Sequence, residues 1–206
     1  MNQAQNSMLE KIRQYGVSDE RVITVMGEVD RADFVLPEQK QFAYEDRPLN
    51  IGYGQTISQP YTVARMIELL LPALPSMPPF SQMVLEIGAG SGYQTAILSR
   101  LFERVLAIEV IPELAQKARL KMNDSGFENV KVKAGDGKEG WEEYSPYDAI
   151  ISAADAAEVP DAWVEQLNTG GRIVSPVRGE MVRLTKMTEG SFIKENFGKF
   201  SFVPLV

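Results

Sequence analysis

The stretch that decides the fold reads Val84-Leu85-Glu86-Ile87-Gly88-Ala89-Gly90-Ser91-Gly92, and a segment able to form a helix follows it. An apolar run that meets three glycines at alternate positions predicts a strand, a tight turn and a helix in succession. Glycine lets the backbone adopt positive φ and lets a ligand approach bare backbone, and α/β proteins bind nucleotide-like ligands at such turns. By itself the pattern fits a dinucleotide dehydrogenase, a methyltransferase, or a close strand–helix contact without any ligand.

Around this stretch, predicted strands alternate with predicted helices at short spacing. The strands span residues 83–87, 104–109, 129–134, 147–152 and 172–176, and the helices span residues 92–101, 112–123 and 160–167. Such alternation predicts an α/β fold with a Rossmann-like, doubly wound and mostly parallel sheet. Two final runs, 181–188 and 191–197, predict a hairpin, so at least one late strand should run antiparallel.

The region before the glycine stretch has a different character. Residues 6–15 have helical spacing, Ser18 is expected to cap a second helix, and Pro60 is expected to begin a third. Residues 33–60 lack periodicity, which is typical of a functional loop that faces a substrate. Four prolines between residues 72 and 79 indicate a linker. We therefore expect one domain, 1–206, with an N-terminal helical and substrate-facing segment (1–80) and a Rossmann-like core (81–206).

Composition narrows the chemistry. The 21 basic and 28 acidic side chains give a net charge of −7, which disfavours nucleic acid as a partner. No signal peptide and no membrane-length apolar run are evident, so we expect a cytoplasmic protein that does not bind membranes. The chain has no histidine and no cysteine, which excludes Ser-His-Asp triads, histidine bases and the corresponding metal sites. The reaction should need no metal, and its nucleophile should already be ionised, or a cofactor should carry the reactivity.

Two further strand ends fit an adenosine-containing ligand. Glu109 lies about twenty residues after Gly88, where an acid can accept hydrogen bonds from both ribose hydroxyls; an ordinary acid at a strand end fits equally well. Asp136 and Gly137 follow the next strand, although Asp-Gly is also a good turn. The order Gly-x-Gly-x-Gly favours S-adenosylmethionine over NAD. Because a carboxylate in an apolar strand is costly when dry, Glu86 should pair with a cationic group of the cofactor through water, or hold the glycine loop.

The most specific stretches lie upstream of the glycine loop. They read Ala43-Tyr44-Glu45-Asp46-Arg47-Pro48-Leu49 and Ile51-Gly52-Tyr53-Gly54-Gln55-Thr56-Ile57-Ser58-Gln59-Pro60-Tyr61. With these residues the chain resembles the bacterial-type protein-L-isoaspartate (D-aspartate) O-methyltransferases, from its N-terminal helices to residues 202–206. The resemblance implies a seven-stranded sheet, S-adenosyl-L-methionine as methyl donor with S-adenosyl-L-homocysteine as product, and repair of isoaspartyl residues in damaged proteins and peptides.

The resemblance also implies a role for each matching residue. Ser58 corresponds to the active-site serine, and Thr56 and Ile57 line the isoaspartyl pocket with it. The implied cofactor-binding residues are Glu86, Gly88, Ala89, Gly90, Ser91, Gly92, Glu109, Val110, Asp136 and Gly137. We expect the enzyme to act as a monomer on isoaspartyl-containing proteins and peptides.

The missing histidines agree with this chemistry. The carboxylate of isoaspartate has a pKa of about 4 or below, so it is ionised at neutral pH and needs no general base. Ser58 would donate a hydrogen bond that positions this carboxylate; capping of the helix at Pro60 is the structural alternative, and both roles could coexist. Tyr61 and Asp155 depart from the family pattern, so a methyltransferase for another carboxylate or a small metabolite is the alternative. A non-enzymatic binding module is a third hypothesis, which the intact Glu109 and Asp136 disfavour.

Overall fold

The computed structural model describes residues 2–72 and 82–206. The predicted linker, apart from Pro72, lies outside the described residues. The N-terminal region begins with α1 (Gln3–Gln14) and α2 (Glu20–Glu28), continues through short 3₁₀ turns to a hairpin of β1 (Leu49–Gly52) and β2 (Gln55–Ile57), and ends in α3 (Pro60–Leu70). In the described ranges, no helix is both long and apolar enough to cross a bilayer.

The other strands form one seven-stranded sheet. In chain order they are β3 (Met83–Ile87), β4 (Arg104–Glu109), β5 (Val130–Ala134), β6 (Tyr147–Ser152), β7 (Leu167–Val177), β8 (Glu180–Lys186) and β9 (Phe192–Lys199). Their spatial order is β5-β4-β3-β6-β7-β8-β9. Strands β3 to β7 are parallel, and β8 runs antiparallel to both of its neighbours. The mostly parallel sheet with one late antiparallel strand confirms the predicted fold class.

Three helices connect the parallel strands: α4 (Tyr93–Ser99), α5 (Pro112–Asp124) and α6 (Asp161–Glu165). Alternate residues of each central strand face opposite sides of the sheet. Val84 joins a large buried cluster that includes Met8 and Met66 of the N-terminal helices, whereas Leu85 joins a smaller cluster around Trp163. Strand β4, the next strand in the chain, pairs with one edge of β3, and β6 pairs with the other edge of β3. A ligand crevice is expected at the carboxyl ends of the strands at such a switch point.

Three predictions about local structure are wrong. The side chain of Asp19, and not Ser18, caps α2 by accepting the Arg21 N–H at 2.9 Å. The Ser18 N–H instead donates to Glu68 Oε1 at 2.6 Å. Residues 33–60 are not wholly irregular, because a turn at Tyr53 and Gly54, with φ of 55° and 72°, joins β1 to β2. Such a turn is typical of tight hairpins, yet Tyr-Gly lacks the Asn or Asp that usually signals one.

The third error concerns the start of β7. The strand begins at Leu167, five residues before the predicted start, and α6 is correspondingly short. Tyr147 of β6 pairs with Leu167, while Ala149 pairs with Arg172. The extra residues on β7, which include Gly170 and Gly171, form an irregularity within the strand. A Gly-Gly pair in sequence therefore marked a bulge and not a separate turn.

Candidate active site

The loop after β3 is fixed by hydrogen bonds to its neighbour strand. The N–H groups of Gly88 and Ala89 both donate to the carbonyl of Ile108 in β4, at 2.8 and 3.2 Å. Gly90 and Gly92 have φ of 53° and 86°, in the region that residues with a Cβ rarely adopt. The strand–turn–helix predicted from the sequence is confirmed, and the loop lies at the carboxyl end of the central strand.

Glu109, the last residue of β4, is tied to this loop. Its Oε2 accepts the Gly90 N–H at 2.8 Å and its Oε1 accepts the Ile111 N–H at 3.0 Å. The side chain is 5% exposed. Since each carboxylate oxygen can accept more than one hydrogen bond, both oxygens keep capacity for ligand hydroxyls. The predicted bond to a ribose therefore fits this geometry and stays a prediction.

Asp136 and Gly137 form a turn with two different environments. Asp136 is exposed, and its Oδ1 accepts the Lys138 N–H at 2.8 Å. Gly137 is buried, its carbonyl accepts the Trp163 indole N–H at 2.7 Å, and a Cβ at this position would lie 2.4 Å from Ile87 Cγ2. Only glycine fits so close to the end of β3, whereas the Asp136 hydrogen bond is that of an ordinary Asp-Gly turn.

Glu86 is a fully buried carboxylate with one unpartnered oxygen. Its Oε2 accepts a hydrogen bond from the Thr95 hydroxyl, and its Oε1 has no partner among the described residues. Burial raises the pKa of Glu86 to about 8, and the nearby Glu109 charge adds to this effect. Gln94 Nε2 is also buried without a partner in the same part of the chain. An unsatisfied buried acceptor at this position is compatible with a hydrogen bond from an amino group of a ligand through water, and the predicted role of Glu86 in cofactor binding stays a prediction.

A small cavity of about 80 Å³ opens at the carboxyl ends of β3 and β4. Five of the predicted cofactor residues line it, namely Gly88, Gly90, Glu109, Val110 and Gly137. The other lining residues are Gln55, Thr56, Ile87, Ile108, Ala153, Ala154, Val203, Pro204, Leu205 and Val206. Residues 203–206 are held there through Asp155, whose N–H donates to the Val203 carbonyl at 2.7 Å and whose carbonyl accepts the Leu205 N–H at 2.8 Å.

A second, larger cavity of about 890 Å³ adjoins the first, and we call it the groove. The two cavities share three lining residues, Thr56, Ala153 and Val203. Ser58 lies in the wall of the groove beside Thr56, and Lys199 is the one charged side chain among the described residues that line it. A ligand in the small cavity and a peptide in the groove would therefore meet next to Thr56.

The hydroxyl of Ser58 is not used to cap α3. The N-cap residue is Gln59, which makes no side-chain capping bond. Asp46 performs this function from a distance, since its Oδ1 accepts the Tyr61 N–H at 3.1 Å and its Oδ2 accepts from Gln59 Nε2 at 2.8 Å. The capping alternative for Ser58 is thus wrong. Within the described residues its hydroxyl has no hydrogen-bond partner, which leaves it available to a substrate.

The two departures from the family pattern have different locations. Tyr61 lines the groove, where its ring meets Tyr15 edge to face at 5.3 Å between centroids and stacks on Phe200 at 6.3 Å. Asp155 lines neither cavity, and both of its carboxylate oxygens lie 3.1 Å from the Gly179 N–H. The Asp155 carboxylate therefore holds the β7–β8 turn and lies outside both cavities.

The structure separates the predicted site residues into those at the cavities and those behind them. Thr56 and Ser58 line the groove, but Ile57 is buried and lines neither cavity. Ser91 lines a separate cavity of about 170 Å³. The other four, Glu86, Ala89, Gly92 and Asp136, line neither of the two main cavities.

In residues 2–72 and 82–206, no cluster of three or more acidic, histidine or cysteine residues could hold a metal.

The sequence did not single out residues 203–206 or Ala153 and Ala154 as site residues. Ala153 and Ala154 follow β6, and the carboxyl end of a parallel strand beside the switch point was a usable signal for them. Residues 203–206 carry no motif chemistry of their own. They reach the site through main-chain pairing with Asp155, which sequence patterns do not reveal.

A mostly parallel sheet, a glycine loop after its central strand and an acid at the end of the next strand define a Rossmann-like methyltransferase that uses S-adenosyl-L-methionine. The chain belongs to the protein-L-isoaspartate(D-aspartate) O-methyltransferase family, whose model matches residues 2–206.

Relatives and solved structures agree with this family. A protein-L-isoaspartate O-methyltransferase of Geobacter metallireducens is 49% identical over 93% of this chain and 88% of its own length. One of Pectobacterium atrosepticum is 42% identical over 100% of this chain and 97% of its own length. The structure of a Plasmodium falciparum protein described by the same activity, in complex with S-adenosyl-L-homocysteine, matches with a TM-score of 0.82 at 25% identity, over 100% of this chain and 99% of that one. A further protein-L-isoaspartate O-methyltransferase structure has a TM-score of 0.81 at 27% identity, over 97% of this chain and 65% of that one.

Proposed function

We propose that this chain transfers a methyl group from S-adenosyl-L-methionine to the free carboxylate of L-isoaspartyl residues in damaged proteins and peptides, and so begins their repair. The observation that carries the proposal is the junction of the two cavities at Thr56, Ala153 and Val203. The cofactor would occupy the small cavity beside Glu109, and the substrate carboxylate would lie in the groove beside Ser58.

Ser58 and Lys199 are the groups of this chain that we assign to the substrate carboxylate. The carboxylate is ionised at neutral pH, so no residue has to remove a proton before the reaction. S-adenosyl-L-methionine supplies a methyl group on a positively charged sulfur. Ser58 would donate a hydrogen bond that orients one carboxylate oxygen towards the cofactor, with Thr56 lining the pocket and the buried Ile57 supporting it from behind. Catalysis is then mainly an effect of proximity and orientation.

The later steps need no further residue of the enzyme. The backbone nitrogen of the residue after the methyl ester attacks the ester carbon, methanol leaves, and a succinimide forms. Water then opens the succinimide and regenerates aspartyl or isoaspartyl product.

For the cofactor we assign three sets of contacts. Glu109 accepts hydrogen bonds from the ribose hydroxyls. Its carboxylate oxygens can do so because each of them accepts only one backbone N–H, from Gly90 or from Ile111. The cavity-lining residues Gly88, Gly90, Val110 and Gly137 would contact the nucleoside, and the rest of the loop 88–92 and Asp136 would hold them in place. Glu86 receives a hydrogen bond from the amino group of the methionine part through water, at its unpartnered oxygen.

We also propose that residues 1–206 act as one domain, with substrate-facing residues in 1–80 and the cofactor core in 81–206. A single buried cluster that contains Ile12, Met66 and Val84 supports this assignment. The protein would act as a monomer in the cytoplasm without nucleic acid or membrane partners. Its net charge of −7 supports the absence of a nucleic-acid partner.

A pair of peptides that differ only in an isoaspartyl or aspartyl linkage tests the proposed function. We expect methyl transfer to the isoaspartyl peptide alone, and equal rates with both peptides would refute the proposal. If labelled methyl groups from S-adenosyl-L-methionine enter small molecules of a cell extract and do not enter aged protein, the result favours the alternative, a methyltransferase for another carboxylate or a small metabolite.

Ser58→Ala should slow methyl transfer with unchanged affinity for S-adenosyl-L-homocysteine. An equal loss of that affinity would make Ser58 a structural residue.

A further inference from the structure

Arg31 is a fully buried cation that contacts the backbone of the substrate-facing segment. It lies in the 3₁₀ turn Arg31–Phe34 after α2 and is 0% exposed. One Nη donates to the Ala43 carbonyl, and the other donates to the carbonyls of Arg47 at 3.2 Å and of Ser58 at 3.1 Å. A single planar side chain thus ties together three separate points of residues 43–58.

No carboxylate forms an ion pair with this guanidinium in the part of the chain that the structure describes. The Cζ atom of Arg31 lies 5.8 Å from the centre of the Tyr93 ring, and its Nε has no hydrogen-bond partner among the described residues. Burial lowers the pKa of Arg31 to about 10, while the Tyr93 and Asp46 charges oppose this effect and the Arg47 charge adds to it. Burying a cation with carbonyl partners alone is costly, so its hydrogen bonds to the backbone are its main compensation.

The hydrogen bond to Ser58 is the one that bears on the reaction. Arg31 holds the carbonyl of Ser58, and Asp46 holds the next peptide groups through Gln59 and the Tyr61 N–H. The backbone from the Ser58 carbonyl to Tyr61 is therefore held by Arg31 and Asp46, while the Ser58 hydroxyl has no partner among the described residues. We infer that Arg31 is a positioning residue that sets the orientation of the Ser58 hydroxyl by holding the Ser58 carbonyl.

This inference rests on the proposed role of Ser58, so its test separates the two. Arg31→Lys keeps the positive charge and loses the planar guanidinium group with its several donors. Arg31→Met keeps much of the aliphatic part of the side chain and loses the charge. With an isoaspartyl peptide we expect kcat to fall on the order of tenfold to a hundredfold in both variants, since small displacements of positioning groups cost this much. The affinity for S-adenosyl-L-homocysteine, measured by calorimetry, should be unchanged and also shows that each variant is folded. Arg13→Lys, on the exposed face of α1, is the matched control.

A double-mutant cycle then tests whether Arg31 acts through Ser58. In the Ser58→Ala background, Arg31→Lys should lower kcat by less than about threefold, because the group that Arg31 positions is absent. Equal losses in both backgrounds, or a wild-type kcat in Arg31→Lys, would overturn the inference.

Hydrogen exchange supplies a readout that does not depend on the substrate. Arg31→Lys should speed amide exchange at residues 59–63 and leave residues 88–92 unchanged, and unchanged exchange at residues 59–63 would contradict the inference. If wild-type protein methylates isoaspartyl and aspartyl peptides equally, the proposed function fails while this measurement still decides what Arg31 holds. If Arg31→Lys does not fold, NMR of the wild-type protein tests the contact between Arg31 and Ser58. We expect the Arg31 Nη protons to exchange slowly with water and to show coupling to the Ser58 carbonyl carbon. Absence of these signals would refute the contact.

Discussion

Replacing Glu86 with glutamine should remove a pH dependence from the stability of the protein. The pKa of this carboxyl rises from its ordinary 4.5 to about 8 in the folded state because the group is buried. Between these two values the folded protein binds more protons than the unfolded chain, so its stability is fully present below pH 4.5 and falls as the pH rises towards about 8. The linkage relation gives a loss of about 3 kcal/mol between about pH 5 and pH 8. Glu86→Gln cannot ionise and should lack this loss.

Urea unfolding of the two proteins at several pH values from about 5 to 8 measures this effect. The difference in unfolding free energy should shift by about 3 kcal/mol in favour of Glu86→Gln as the pH rises. Contributions of other carboxylates cancel in the difference. Glu103→Gln, which removes an exposed carboxylate immediately before β4, should run parallel to the wild type. Parallel curves for Glu86→Gln and the wild type would refute the assignment of a neutral, buried Glu86.

Three further predictions follow from the site. Gly137→Ala should lower the unfolding free energy by about 1–3 kcal/mol, because its Cβ would meet Ile87 at 2.4 Å. Gly135→Ala is the control, and it should cost much less because its Cβ would make ordinary contacts at 3.8 Å. Equal losses of unfolding free energy in the two variants would contradict the contact with Ile87. Asp46→Ala should cost about 1 kcal/mol in thermal or urea unfolding through the lost cap of α3. It should also raise the KM for the peptide, because Asp46 holds Gln59 and Tyr61 of the groove wall, and a wild-type KM would contradict that role. The small cavity of about 80 Å³ is below the roughly 300 Å³ of common ligand pockets, so residues 203–206 of its wall should move when S-adenosyl-L-homocysteine binds. Amide hydrogen exchange at residues 203–206 should therefore change on binding, and unchanged exchange there would show that this wall does not move.

The core of the fold could be predicted from the sequence because its signals are local. Strand β3, the glycine loop and Glu109 lie within a short stretch of chain, and each apolar run is long enough to mark its strand. The hairpin of β1 and β2 could not be predicted in the same way. Its strands are three or four residues long, and the left-handed backbone of Tyr53 is imposed by the turn and not signalled by the residue type.

The candidate site was only partly predictable, because several of its contacts join distant parts of the chain. Ser58 and Thr56 came from the resemblance, and the structure places both in the groove wall. The cap that Asp46 supplies to α3 and the carbonyl that Arg31 holds are long-range hydrogen bonds that no spacing rule indicates. Asp155 departs from the family pattern, and its contact with the turn of β7 and β8 is likewise one that no spacing rule indicates.

A competition experiment tests the central conclusion most directly. Equal amounts of an isoaspartyl peptide and its aspartyl counterpart, distinguished by an isotope label, are incubated together with the enzyme and S-adenosyl-L-methionine, and mass spectrometry follows both. The isoaspartyl peptide alone should gain a methyl group and then lose methanol to give a succinimide. Methylation of both peptides at similar rates, or of neither, would contradict the function that we propose.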